Sequence, residues 1–323
     1  MFFVNPMKAA IYTEYGAPSV LRQAEIPRPS PKDNEILVKV SASTVSAGVI
    51  WVRQGRFPGS NIFTFFLRLM YGLNKPRKPV LGFEFSGVVE AVGGKVQRFR
   101  VGDEVFGTTT GLTQGAYAEY VCVPEQWKQG VVAKKPPEIT LEEAAALPVG
   151  FMTALNLLNR ATITPSSNVL IYGASGSVGT FAVQIAKYRG AKITAVCSGR
   201  NAALVQSLGA ETVVDYTGEG FTTRDMARLA AQFDVAFDAV GKLSSQKLKG
   251  LVKQGGKALS VTSPTSEQQE YLGELARMIA EGSIRPVIDK TYSLENIVEA
   301  HEYVDLGHKR GNVVITVAKP HQS

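Results

Sequence analysis

The segment 169–190 constrains this chain more than any other. Val169, Leu170, Ile171 and Tyr172 form an unbroken apolar run, the pattern of a strand buried on both faces. The run meets Gly173-Ala174-Ser175-Gly176-Ser177-Val178-Gly179, after which Phe181, Ile185 and Ala186 fall at helical spacing. Strand, glycine turn and helix start, in that order, predict a dinucleotide-binding unit. Gly176 has no Cβ, so the backbone can approach a pyrophosphate, and Gly179 lets helix and strand pack closely. The helix N-terminus adds unpaired amides and a partial positive charge. Ala174, Ser175, Gly176, Ser177, Val178 and Gly179 are therefore the first cofactor-binding candidates. Ala174 stands where the pattern most often has its first glycine, so the flanking segments carry the decision.

A second buried strand follows at Lys192–Cys197 and runs into Ser198-Gly199-Arg200. A site for NADH wants Asp or Glu near this strand end to hold the ribose 2′-hydroxyl. Here Ser198 offers a hydroxyl and Arg200 a charge-assisted, bidentate contact, both suited to a 2′-phosphate, so the expected cofactor is NADPH. A plainer reading also stands: Ser198 as a helix cap and Arg200 on a solvated face. Helix 201–208 ends at Gly209, and strand Thr212–Tyr216 brings Tyr216 to a strand end, beside the adenosine ribose phosphate or as a plain strand-end aromatic. Strand Phe233–Asp238 closes on Ala239-Val240-Gly241, which adds Val240 to the cofactor candidates, and a fifth strand, Lys257–Thr262, follows Gly255-Gly256. Strands alternating with helices predict a doubly wound parallel sheet of the Rossmann α/β class.

The chain has 323 residues, 45% hydrophobic and 20% charged, enough for two domains with real cores. No stretch reaches the eighteen or so apolar residues of a membrane span, and Met1-Phe2-Phe3-Val4-Asn5-Pro6 lacks a basic region and a long apolar core, so a cytoplasmic protein with no membrane partner is expected. Cys122 and Cys197 lie in apolar strand-like runs and predict neither a disulfide framework nor a nucleophile. The net charge of +7 is scattered apart from Lys75-Pro76-Arg77-Lys78-Pro79, and no aromatic-interleaved motif accompanies it. Nucleic acid is therefore not an expected partner.

The N-terminal part reads as β-rich, with strands expected at Ala9–Tyr12, Glu35–Val40, Phe85–Val92 and Gly115–Val123, separated by Pro27, Pro29, Pro31, Gly93-Gly94 and Gly107. A partly closed antiparallel barrel would fit. Helices are expected at Leu141–Leu147 and Phe151–Arg160, and, after the nucleotide unit, near Glu267–Glu281 and Leu294–Leu306, before a last strand at Asn312–Val317.

These stretches resemble the medium-chain dehydrogenase/reductase superfamily, in its zinc-independent quinone oxidoreductase branch. The resemblance rests on Met7-Lys8-Ala9-Ala10, Val80–Gly87, Phe99–Gly107, Gly115–Tyr120, Thr153-Ala154 and the Ala174, Gly176, Gly179 turn, in the family's order. It implies a GroES-like β-barrel domain split in sequence (1–149 and 265–323), a Rossmann NADPH-binding domain (150–264), an active site in the cleft between them, and a homodimer formed through the edge of the nucleotide sheet. Zinc-using relatives place ligands where this chain has Ser46 and Phe83, and the only histidines are His301, His308 and His321, so no metal is expected.

Without a Lewis acid, the resemblance implies an acceptor that is already activated, a quinone or an α,β-unsaturated carbonyl. Relatives often carry an Asn and an Asp where this chain has Ser46 and Val49; Ser46 keeps a hydrogen-bond donor, Val49 does not. Thr153 matches a threonine close to the nicotinamide, or is a helix N-terminal residue. Ile62–Tyr71 is unusually aromatic: it lines a pocket for flat acceptors, with Tyr71 as proton donor, or buries its apolar stripe in its own domain. Arg310 and Asn312 match a stretch that reaches the cofactor. Asp103 and Glu104 read as turn and strand surface, and Glu84 as a buried structural hydrogen bond. The residues thus predict an NADPH-dependent quinone or enone reductase with Ser46 and Tyr71 as catalytic candidates. A 2-enoyl thioester reductase using Lys75, Arg77 and Lys78 at its mouth, and a non-enzymatic NADPH-binding sensor, are the alternatives.

Overall fold

The computed structural model describes residues 6–109, 114–128, 130–217 and 229–317; the first five residues and His321 lie outside them. Two compact units divide the chain, one running to Pro148 and regaining it at Gln268–Leu272 and from Ile288 onward, the other Val149–Glu267 with Gly273–Val287.

The first unit opens with a hairpin, β1 (Pro6–Ile11) antiparallel to β2 (Arg22–Pro27). Its main sheet is built from β3 (Glu35–Thr44), β4 (Glu84–Val92), β5 (Glu104–Thr108), β6 (Tyr120–Pro124), β7 (Val132–Lys134), β13 (Ile288–Ser293) and β14 (Asn312–Thr316). The order is β13-β14-β3-β4-β5-β7, with β6 on β3. Every pairing is antiparallel except β13 with β14, and the path among the described strands is open, where a barrel was expected. Only the end of the expected strand 115–123 pairs as β6, while Tyr117 uses its backbone to bridge Ala10 and Leu81. Helices α1 (Ala47–Gln54) and α2 (Asn61–Tyr71) lie in the connection from β3 to β4, and α3 (Leu141–Ala145) packs small alanines against Ala42 and Val314.

The second unit begins with α4 (Pro148–Leu158) and continues as β8 (Asn168–Tyr172), α5 (Ser177–Tyr188), β9 (Lys192–Cys197), α6 (Ala202–Leu208), β10 (Thr212–Asp215), β11 (Phe233–Asp238), α7 (Ser245–Leu251) and β12 (Val252–Ser260). All five strands are parallel in the order β10-β9-β8-β11-β12. That is the Rossmann order, with the first strand of the unit at the centre, and it follows from right-handed crossovers on both sides of β8. Val169, Leu170, Ile171, Ala195 and Val196 are buried, as central parallel strands require. Among the described residues the remaining α-helices are α8 (Gln269–Ala280), most of it in this unit, and α9 (Ile297–Asp305) in the first.

Candidate functional site

Within the second unit, the turn after β8 puts its glycines to three different uses. Gly173 has φ 77° and lies under Val240, whose Cγ2 a Cβ there would strike. Gly179 is pressed against the Gly173 carbonyl oxygen and the Ala174 backbone, which leaves no room for a Cβ. Gly176 differs: its φ is −80°, open to any residue, and the nearest protein atom to a Cβ would be the Gly173 oxygen at 3.5 Å. Neither backbone nor packing calls for glycine at 176, whereas a phosphate lying against this backbone would. Gly176 also caps α5 without a side chain, so the first-turn amides are not claimed by their own cap.

At the end of β9, Ser198 is buried and Arg200 exposed in the short helical turn Gly199–Asn201. Asn201, which the sequence reading passed over, ties this corner together: its Nδ2 donates to Ser175 Oγ at 3.0 Å and to Ser198 Oγ at 3.1 Å. Its Oδ1 is buried with no partner. A buried acceptor left unpaired beside two hydroxyls and the glycine turn fits a hydrogen-bonding ligand, such as a nucleotide, better than a closed core. The signal in the sequence was Ser198-x-x-Asn201, a spacing that one helical turn brings onto one side.

Asp215 faces Gly199 closely, and its Oδ1 accepts from Thr217 N at 2.8 Å and Thr217 Oγ1 at 2.7 Å. The ring of Tyr216 lies 6.4 Å from that of Tyr172. Val240 is fixed from below: the buried Asp238 carboxylate accepts from Val240 N, Gly241 N and Leu243 N at 2.8–3.0 Å, knotting the loop after β11. Thr153 is half-buried in the interior of α4 rather than at its N-terminus. Burial pushes the Cys197 thiol up to about 11, so it remains protonated at neutral pH.

Within the first unit, Ser46 caps α1, its Oγ accepting from Val49 N at a long 3.5 Å, while Val49 is buried in the core. A Cβ on Gly48 would lie 3.3 Å from the Phe83 ring and 4.0 Å from Ser46 Oγ, so Ser46 and Phe83 are neighbours. The Tyr71 ring stacks on Phe83, with centroids 6.3 Å apart and planes 28° from parallel. Ser46, Phe83 and Tyr71 therefore meet at one place. Among the described residues there is no group of three His, Cys, Asp or Glu side chains that could hold a metal ion. The alternative that Ile62–Tyr71 buries its apolar stripe is corrected by the structure: no residue of α2 is buried.

The same unit holds a polar chain that is buried except at Asp305. The Arg53 guanidinium donates to Asp305 Oδ2 at 2.6 Å and to His301 Nδ1 at 3.2 Å; His301 Nε2 lies 3.2 Å from Tyr117 Oη, which donates to the Thr44 carbonyl at 2.9 Å. Arg53 and Tyr117 fix the tautomer, because Nδ1 must accept and Nε2 must carry the proton. Burial, reinforced by the Arg53 charge, holds the imidazole well below its ordinary value, so His301 is neutral. Thr44 Oγ1 in turn donates to Glu84, the structural hydrogen bond expected of that acid. Lys309, its amine lowered to about 8 by burial against the opposing pull of Glu84 and Asp289, donates to the Gly311 carbonyl at 2.6 Å. Arg310 is paired with Asp289 at 3.0 Å, and Asn312 is buried at the start of β14.

Comparison with known proteins agrees with this architecture. Residues 32–137 match the alcohol dehydrogenase GroES-like domain, and residues 177–288 match the zinc-binding dehydrogenase family model. Over 96% of its length the chain is 32% identical to a 2-methylene-furan-3-one reductase of Solanum lycopersicum, covering 79% of that protein. It is 30% identical, with the same coverage of both chains, to a chloroplastic NADPH-dependent alkenal/one oxidoreductase of Arabidopsis thaliana. A quinone oxidoreductase structure from Coxiella burnetii superposes with a TM-score of 0.81 at 27% identity, over 97% of this chain and all of the other.

Proposed function

The chain belongs to the medium-chain dehydrogenase/reductase superfamily, in its quinone oxidoreductase branch, and is an oxidoreductase passing hydride to a quinone or α,β-unsaturated carbonyl; we propose that its cofactor is NADPH and that it works without a metal. The observation that carries the cofactor reading is the corner made by Gly176, Ser175, Ser198 and Asn201, with its unpaired Asn201 Oδ1. Ser198 and Arg200 supply the hydroxyl and cation that a 2′-phosphate requires, and the Thr217 hydrogen bonds partly spend the charge of Asp215, the acid nearest Gly199. Bound there, NADPH supplies the hydride.

The protein's share of the reaction is to hold the acceptor and manage its oxygen. As hydride reaches the β-carbon of an enone or the ring of a quinone, negative charge moves to the oxygen, which needs a donor in a dry setting. Ser46 Oγ–H and Tyr71 Oη–H flank the Phe83 face, and we assign them the hydrogen bond and the proton; Phe83 offers an apolar surface to a flat acceptor. The metal-free reading is supported by a donor set that does not suit zinc: serine as a cap, phenylalanine at the second ligand place, and His301 consumed by Arg53 and Tyr117. A homodimer through the exposed polar edge strand β12 agrees with the sheet order.

The test is NADPH and NADH oxidation at 340 nm, with metal chelated, against 9,10-phenanthrenequinone, 2-cyclohexenone, 1-octen-3-one and crotonyl-CoA. Turnover with NADPH on quinones or free enones is expected. Activity confined to crotonyl-CoA would favour the thioester reading, and tight NADPH binding with no turnover would favour the sensor.

A further inference from the structure

We propose that helix α2 seats the protein on an anionic lipid surface, its apolar face entering the interface and the cations at both its ends meeting the headgroups. The helix is well anchored, yet it is oriented against the usual rule for a soluble domain. Ser60 caps it, accepting from Phe63 N at 3.2 Å, and Thr64 Oγ1 accepts from Phe57 N at 3.0 Å. Arg68 Nε donates to the Gly55 carbonyl at 2.9 Å with its guanidinium over the Tyr15 ring, and Leu67 and Tyr71 pack on the first unit's core. Thr64, Leu67, Arg68 and Tyr71 thus form the inward side. The outward side carries Ile62, Phe63, Phe65, Phe66, Leu69 and Met70, all exposed, Ile62 at 70% and Phe63 at 60%. At 100° per residue these six, with Leu73 just beyond, sweep an arc of about 160°. Water is a poor solvent for such a face, and a contiguous exposed apolar face marks an interaction site.

Charge decides what that site is for. Residues 54–83 contain Arg56, Arg68, Lys75, Arg77 and Lys78 and no Asp or Glu. Arg56 precedes the helix and Lys75, Arg77 and Lys78 follow it, all four exposed. A second copy docking here about a two-fold axis would bring these cations against their own kind, with no carboxylate in the segment to answer them. An anionic bilayer satisfies both features at once: aromatic and aliphatic side chains at the acyl boundary and cations among the phosphates. No helix among the described residues is long and apolar enough to cross a membrane, and attachment of this kind needs none. The inference does not depend on the reductase chemistry, since it draws on no residue assigned to the cofactor and, Tyr71 aside, on none assigned to hydrogen bonding or protonating the acceptor; it gives the exposed face of Ile62–Met70 and the cations Lys75, Arg77 and Lys78 a role other than lining an acceptor pocket or the mouth of a thioester channel.

Flotation of the full-length protein with vesicles is the test, using phosphatidylcholine alone and phosphatidylcholine with about a third phosphatidylglycerol. Binding is expected to be at least tenfold stronger on the anionic vesicles and to fall steeply at about 0.5 M salt. Lys75→Gln with Lys78→Gln is expected to weaken it about 25-fold, fivefold for each charge. Phe63→Ser with Phe66→Ser is expected to abolish it, with circular dichroism and melting showing both variants folded. Absence of wild-type flotation, or equal flotation of wild type and the folded serine variant, would overturn the proposal. So would an assembly of wild-type chains that the serine variant dissolves while vesicles bind neither.

Discussion

Alanine at Gly176 and at Gly179, three residues apart in one turn, separates a glycine kept for a ligand from a glycine kept for the fold. At 176 the added Cβ meets nothing nearer than 3.5 Å, and φ of −80° suits alanine. The lost flexibility of the unfolded chain favours the variant by about 0.4–1 kcal/mol, whereas alanine is the poorer helix cap by a similar amount. Stability should therefore change by less than about 1 kcal/mol. At 179 the Cβ overlaps the Gly173 carbonyl oxygen and lies 2.8 Å from Ala174 backbone atoms, so strand and helix must separate. Overpacking of that kind costs about 1–3 kcal/mol, or a fall of roughly 2–5 °C in the melting temperature of a chain of 323 residues. Binding should show the opposite contrast. Gly176→Ala should lose at least about tenfold in NADPH affinity, about 1.4 kcal/mol, because its methyl group stands where the pyrophosphate must approach. Differential scanning fluorimetry and titration of NADPH fluorescence read the two quantities on the same samples. Wild-type affinity in Gly176→Ala, or an unchanged melting temperature in Gly179→Ala, would refute the reasoning.

Further consequences can be checked separately. Arg200→Ala should weaken NADPH by about 1.5–3 kcal/mol and leave NADH nearly unchanged by isothermal titration; equal losses would remove Arg200 from the 2′-phosphate. Because the folded His301 value lies well below the ordinary one, its stabilisation is complete above about pH 6.5 and is lost as pH falls below it, by up to about 1.4 kcal/mol per pH unit. Melting temperature followed from pH 7.5 to 5 should fall in the wild type and fall less in His301→Gln; parallel curves would show that this imidazole is not the group responsible. Tyr71→Phe keeps the ring on Phe83 and removes the hydroxyl, so kcat should drop by about 10²–10⁴ with KM little changed, and an unaffected kcat would place the proton donor elsewhere.

The nucleotide unit was legible because central parallel strands are short apolar runs that few other structures explain: β8, β9 and β11 fall close to where Val169, Ile193 and Val235 put them. β12 was seen only in its second half, since Val252–Gly256 is an exposed, polar edge with no burial pattern to read. Helix α2 shows a different limit. Periodicity reveals that apolar and polar residues are segregated, not which side faces inward, and Thr64 and Arg68 take the inner face through hydrogen bonds that no hydropathy pattern encodes. Asn201 escaped because its importance lies in what its amide reaches, two hydroxyls from different turns, one of them 26 residues away. The sequence could single out Ser46 and Phe83 only one at a time; their meeting over Gly48, with Tyr71 stacked behind, is a tertiary fact.

The most direct test of the account is transfer of the label from NADPH deuterated at nicotinamide C4 to 2-cyclohexenone, with metal chelated and the product examined by NMR. Direct hydride delivery predicts one deuterium at C3 of the cyclohexanone, with the proton at C2 drawn from a protein hydroxyl or solvent. Reduction that leaves C3 free of label, or reduction only after zinc is restored, would contradict it.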